Sequence, residues 1–234
     1  MIIAIHQPNF LPNSAFFAKM LAADKFIILD TAQFPTEGWV HRNKLLSNKE
    51  AGWVTLPVLT SGRGTQKILD VEIRHTTPWQ RKLLKRIEQE YSQAPYKDVV
   101  ASALADILDK SHLRLVDLNM ELLAWFRKEL RVEVPMFVAS EMDKENDLKS
   151  DEANPTTRLI DLVQALEGKT YLSGPSGRKY LDADAFKDAG INLEYQEFSA
   201  APYENGSKEF VEGLSFLDMM LWLGPEKALQ MVWA

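Results

Sequence analysis

Cysteine is absent from the 234 residues, which excludes disulfides, thiolate metal sites and cysteine nucleophiles. No stretch approaches the roughly 20 consecutive apolar residues that a membrane-crossing helix needs. Positive charge is not in excess: 27 Lys and Arg stand against 33 Asp and Glu, for a net charge of −6. That balance argues against a broad nucleic-acid surface, which requires clustered cations. His6, His41, His75 and His112 form no His-x-x-x-His pair, so no zinc site is expected and no metal ligand is assigned. A Gly-x-Ser-x-Gly elbow, a Gly-x-Gly-x-x-Gly fingerprint and a P-loop are missing as well. The first residues lack the basic flank and cleavage site of a signal peptide, and the expected location is the cytoplasm. No motif names a cofactor, and none sets an oligomeric state.

Apolar residues make up 46% of the chain, sufficient for a packed core. The expected architecture is α/β: a single domain over 1–234, a mainly parallel sheet flanked by helices. Ile2 to Ile5 reads as a strand, followed by a helix carrying Phe16, Phe17, Met20 and Leu21, with Asn13 or Ser14 as its cap. Phe26-Ile27-Ile28-Leu29-Asp30 is an apolar run ending in an acid, the pattern of a buried parallel strand. From Thr31 to Leu69 the pattern is irregular, with a strand candidate over Trp53 to Val58 and a short one over Asp70 to His75. Residues 78–130 read as a helical insertion or subdomain, since Trp79, Leu83, Ile87 and Tyr91 recur at helical spacing. Alternation then resumes: a strand at Met136 to Ala139, a polar loop from Glu141 to Pro155, and a helix from Thr156 to Leu166. A strand at Tyr171-Leu172, a helix, a strand near Leu193 to Tyr195, and helices near Ser215 and Pro225 complete the chain.

Four segments carry candidate chemistry. His6 and Gln7 follow the first strand and are stiffened by Pro8 and Pro12; ligands of open α/β sheets bind at such carboxyl ends. Asp30 ends the second strand and could orient His6, with Gln33 just beyond it. The run Gly38-Trp39-Val40-His41-Arg42-Asn43-Lys44 reads as a weakly structured loop. There Trp39 suits a flat ring, while His41, Arg42, Asn43 and Lys44 suit an anionic group. In Ser173-Gly174-Pro175-Ser176-Gly177-Arg178, between a strand and a helix, Ser173, Gly174, Gly177 and Arg178 could hold a phosphate or carboxylate.

These elements, in this order, resemble the WbqC-like family, bacterial proteins associated with O-antigen and other surface-polysaccharide gene clusters. The resemblance runs over nearly the whole chain. It rests on Gln7-Pro8 with Phe10 and Pro12, Asp24-Lys25-Phe26, Gly38-Trp39 before Arg42-Asn43, Ala94-Pro95-Tyr96, Ser173-Gly174 with Gly177, and Gly224-Pro225-Glu226. The family often has Gly-Tyr in the first helix, where Ala15-Phe16 stands here. Pro12 to Phe16 and Ser173 to Arg178 are also remotely similar to the Rossmann-like, nucleotidylyltransferase-like fold, although its paired histidines are not reproduced. The resemblance implies a transferase acting on an activated sugar or nucleotide-linked substrate. The alternative is a non-catalytic protein that binds a nucleotide sugar or another anionic small molecule.

Overall fold

The computed structural model describes residues 1–146, 148, 154–207 and 209–233. In chain order the strands are β1 (Ile2–His6), β2 (Lys25–Ile28), β3 (Arg42–Ser47), β4 (Glu50–Thr55), β5 (Met136–Val138), β6 (Thr170–Ser173) and β7 (Asn192–Tyr195). The α-helices are α1 (Ser14–Leu21), α2 (Trp79–Glu90), α3 (Lys97–Leu108), α4 (Leu115–Glu129), α5 (Ala139–Asn146), α6 (Pro155–Ala165), α7 (Ala183–Asp188), α8 (Phe216–Leu223) and α9 (Pro225–Trp233). The chain forms two compact units. The first holds Met1–Gln7, Phe16–Thr31 and Glu133–Ser199; the second holds Pro8–Ala15, Ala32–Val132 and the residues from Ala200 onward.

The first unit is built on a parallel sheet in the order β5-β2-β1-β6-β7. This is the α/β architecture expected from the apolar runs. Ile3, Ile5, Ile27 and Tyr171 pack with Met142 of α5, Leu159, Leu162 and Val163 of α6, and Phe186 of α7. Each such buried side chain contributes about 1.5–3 kcal/mol. Phe16 of α1 meets Phe26 of β2 edge-on at 5.3 Å. Asn154 caps α6 by accepting from the Thr156 and Thr157 amides, with Pro155 at the first helical position.

The sequence reading departs from the structure in three places. The polar loop expected from Glu141 is helix α5 through Asn146; apart from Leu148, the residues 147–153 lie outside those described. Only Ala139 and Met142 of that helix are buried, so it shows no apolar stripe. Its cap comes from elsewhere, because Asp30 accepts from the Ser140 amide at 3.0 Å. The irregular stretch from Thr31 contains the antiparallel hairpin β3–β4, and the strand expected over Trp53 to Val58 ends at Thr55. The hairpin turns on Asn48 and Lys49, both with positive φ (51° and 65°), as a two-residue hairpin requires. Over Asp70 to His75 there are only a short 3₁₀ turn, Ile68–Asp70, and isolated bridges at Glu72 and Ile73.

In the second unit, α2, α3 and α4 occupy the segment expected to be helical. Arg86 of α2 donates to the carbonyls of Leu45, Leu46, Gly52 and Trp53 at 2.7–2.9 Å, fastening both hairpin strands. Helix α8 is buried at every position from Phe216 to Leu221, Asp218 included. The Asp218 carboxylate accepts from the Tyr91 hydroxyl at 2.8 Å and from the Tyr203 hydroxyl, while the Leu46 amide donates to Tyr91 Oη at 2.9 Å.

Candidate functional site

Strand order reverses at β1: the chain builds outward through β2 and β5, then returns to β1's other side with β6 and β7. In open parallel sheets, ligands bind beyond the carboxyl ends of the strands at such a switch point. The pairing registers show a gap there. β1 and β2 stay paired to His6↔Ile28, whereas β1 and β6 part after Ala4↔Leu172. The Ile2 and His6 carbonyls accept from Asp24 and Leu29 on the β2 side. Alternation along the strand therefore turns the Ile5 carbonyl toward β6, where no strand amide follows. Lys19 of α1 fills that vacancy, its Nζ donating to Ile5 O at 2.7 Å.

His6 stands at this edge, half-buried, its ring edge-on to Phe16 at 4.8 Å. Its Nδ1 lies 3.0 Å from the Gln7 carbonyl. A carbonyl can only accept, so Nδ1 carries the hydrogen and Nε2 presents a lone pair. Burial, reinforced by the nearby Lys19 amine and opposed by the Gln7 carbonyl, pushes the imidazole down to about 3. His6 is thus a neutral hydrogen-bond acceptor through the physiological range, and a weak base there. Lys19 itself is only 3% exposed, and burial lowers its amine to about 7.

Across the gap, Ser173 is buried at the end of β6, with its Oγ donating to the Gly174 carbonyl at 3.2 Å. A Cβ on Gly177 would lie 2.2 Å from that Oγ, so packing requires glycine there. Gly174 differs: its φ is −71° and a Cβ would meet open space. Neither backbone strain nor packing requires that glycine, which leaves the backbone open to close approach by a ligand. Arg178 lies over the Tyr195 ring at 4.2 Å and keeps only a long, exposed contact of 3.8 Å with Glu197.

Asp30 lies at the same edge, beyond β2, but both its oxygens accept from Ser140, through the amide and the hydroxyl. The group beside His6 Nδ1 is the Gln7 carbonyl, not this carboxylate. Asp30 therefore caps α5. A cavity of about 530 Å³ opens at the opposite edge of the sheet, among Gln164, Glu167, Lys169 and Gly190. Those residues belong to the end of α6 and to the turns that precede β6 and β7, away from the carboxyl ends.

Gln33, Trp39, His41, Arg42, Asn43 and Lys44 belong to the second unit. Arg42, Asn43 and Lys44 open β3 rather than forming a loop, so their side chains alternate. Asn43 is buried, donating to the Phe10 and Leu11 carbonyls at 3.1 and 2.7 Å and accepting from the Lys44 amide. Asn119 of α4 likewise donates to the Pro8 and Val40 carbonyls at 2.8 and 2.7 Å. Together they clamp the opening loop, in which Leu11 has a φ of 45°, uncommon for a non-glycine residue. His41 is buried against Phe34, and burial, then Arg42, lowers its basicity. Gln33 is exposed and bridges Lys67. On the outer face, the Arg42 guanidinium and Lys44 amine lie 4.4 and 5.1 Å from the Trp53 ring centre, and Trp39 tilts against the same ring at 5.1 Å. Neither cation is in an ion pair among the described residues. Two cations over one exposed indole make a surface suited to a planar anion.

Sequence reasoning missed Lys19. A signal for Lys19 was present: Phe16, Lys19 and Met20 have the i, i+3, i+4 spacing of one helix face, which puts the lysine among apolar neighbours.

A model of the WbqC-like protein family matches residues 7–230. The chain belongs to that family. It is 30% identical over 226 residues to the uncharacterized protein Rv1507c of Mycobacterium tuberculosis, covering 96% of this chain and 94% of that protein. No solved structure matches the chain.

Proposed function

We propose that this protein is a cytoplasmic transferase acting on an activated sugar or nucleotide-linked substrate in bacterial surface-polysaccharide biosynthesis, with its substrate at the β1–β6 edge. The observation that supports the reading is the strand-order reversal at β1, with His6 and Gln7 on one side of the gap and Ser173 and Gly174 on the other. In this reading His6 Nε2 accepts a hydroxyl or amide hydrogen of the substrate, and Gln7 fixes the tautomer. Gly174 admits the anionic group, which Arg178 draws in. The Arg42, Lys44 and Trp39 surface of the second unit is, by itself, suited to a flat anionic group. The family's association with surface-polysaccharide gene clusters supplies the biological setting, and the remote similarity to the nucleotidylyltransferase-like fold favours a nucleotide-sized ligand.

A second reading, a non-catalytic carrier or sensor of the same ligands, is favoured by the low basicity of His6, which suits hydrogen bonding better than proton transfer at neutral pH. Incubation with a panel of nucleotide sugars, followed by ³¹P NMR for bond cleavage and by calorimetry for affinity, separates the two. A transferase should lose at least about tenfold in turnover in His6→Ala while affinity changes little. Binding without cleavage selects the carrier, and no binding of any nucleotide or nucleotide sugar defeats both.

A further inference from the structure

Lys19 is the buried charge that the proposed chemistry leaves unused. Its amine reaches the Ile5 carbonyl where β1 and β6 separate. The titratable groups that face it are His6 from β1 and Tyr171 from β6, the latter with its ring centre 6.0 Å away. Both are uncharged at pH 7: burial pushes the imidazole down and the Tyr171 hydroxyl up. Helix α1 carries no carboxylate, and no ion pair to Lys19 exists among the described residues. A buried ammonium without a counter-charge is costly, so the amine surrenders its proton easily. An anion arriving at the edge would reverse that preference.

We propose that Lys19 is the internal counter-charge for an anionic group bound where β1 and β6 part, and that binding draws a proton onto its amine. This inference rests on the anionic-ligand reading above and specifies how that site recognises charge. It assigns Lys19 a role in affinity and its pH dependence. In the free protein the amine is mostly uncharged at pH 8; in the complex it is an ammonium paired with phosphate or carboxylate. Affinity should therefore fall by up to about tenfold per pH unit above neutrality, as expected for one linked proton.

Two measurements on the full chain test this. Protein labelled with ¹³C,¹⁵N-lysine, with Lys19→Met to assign the signal, should show the Lys19 signal titrating near 7. A Lys19 signal that stays protonated up to pH 9 overturns the proposal. Calorimetry at pH 8 with sulfate and with malonate, both fully ionised there, in buffers of different ionisation enthalpy should report uptake of about one proton per bound anion. A preference between the two anions separates phosphoryl-like from carboxylate recognition. Lys19→Met keeps the side-chain volume and removes an unpaired buried charge, so the fold should persist. It should abolish the uptake and weaken binding about tenfold. Lys19→Arg, charged at every accessible pH, should bind without uptake. Unchanged uptake in Lys19→Met overturns the inference while leaving the reading intact. Failure of both anions to bind the wild-type protein defeats the reading, and the inference with it.

Discussion

In the hairpin-and-helix unit, Asn43, Asn119 and Arg86 aim their donors at backbone carbonyls, and Asp218 is surrounded by hydroxyls. In the sheet unit, among the described residues, His6 hydrogen-bonds through Nδ1 alone and Lys19 has a single carbonyl partner. Ser173 and Gly174 likewise sit where the pairing of β6 with β1 has stopped. Residue type does not separate the two units, since each buries polar side chains. The difference is local to the strand edge: Asn43, Arg86 and Asp218 use their hydrogen-bonding capacity on the scaffold, as Asp30 does in the sheet unit, whereas the β1–β6 edge does not, although His41 Nδ1 and Asn119 Oδ1 of the hairpin-and-helix unit are also buried without a partner among the described residues. Buried polar groups that are fully partnered hold a structure in one arrangement, while under-partnered ones at a strand edge can still receive a ligand.

That contrast yields graded expectations. The largest effect belongs to Asp218→Leu, which strands the Tyr91 and Tyr203 hydroxyls in the core. Urea unfolding should show a loss of about 3–5 kcal/mol, and a loss under 1 kcal/mol would mean that the network does not hold the unit together. The same residue carries a pH signature. Burial raises its carboxyl to about 6, against the opposing hydrogen bonds of Tyr203 and Tyr91. Because the folded value lies above the unfolded one, its contribution is full below about pH 4 and is lost as pH rises through 6. Unfolding profiles from pH 4 to 7 should therefore contain a downward component that disappears in Asp218→Asn.

Next in size is Asn43→Ala, which removes both donors to the opening loop and the acceptor for the Lys44 amide. A cost of about 2–3 kcal/mol is expected, together with faster hydrogen exchange at Phe10 and nearby loop amides. The smallest effect should come from Arg42→Ala or Lys44→Ala, each removing a cation from Trp53. Stability should change by about 0.5–1 kcal/mol or less. Fluorescence quenching of the tryptophans by a nucleotide should weaken severalfold if that face binds anions; an unchanged titration would mark it as a plain surface.

Much of the sheet was legible because its strands are apolar runs that need no context. β1, β2 and β6 are recognisable from Ile2 to Ile5, Phe26 to Ile28 and Tyr171-Leu172 alone. The three helices of residues 78–130 were legible for the same reason, through their spacing. Hairpin β3–β4 was not, because its inward position 43 is an asparagine that satisfies a distant loop, and no local pattern announces such a partner. Helix α5 escaped notice because its cap, Asp30, lies 110 residues away. The candidate site shows the same division: His6 and Ser173 could be placed from strand ends, but whether Asp30 and Asn43 serve a ligand or the scaffold depends on partners remote in sequence.

The interleaving of the two units has a consequence for how the protein is made. The chain passes between them repeatedly, and roughly a hundred residues separate Thr31 from Glu133, where the sheet unit resumes. On a ribosome, β1 and β2 emerge long before β5 and β6, the strands that flank them in the finished sheet. Until then, apolar β1 has no β6 beside it, and the gap into which Lys19 reaches does not exist. A nascent chain released before β6 would carry an exposed strand edge instead of a site.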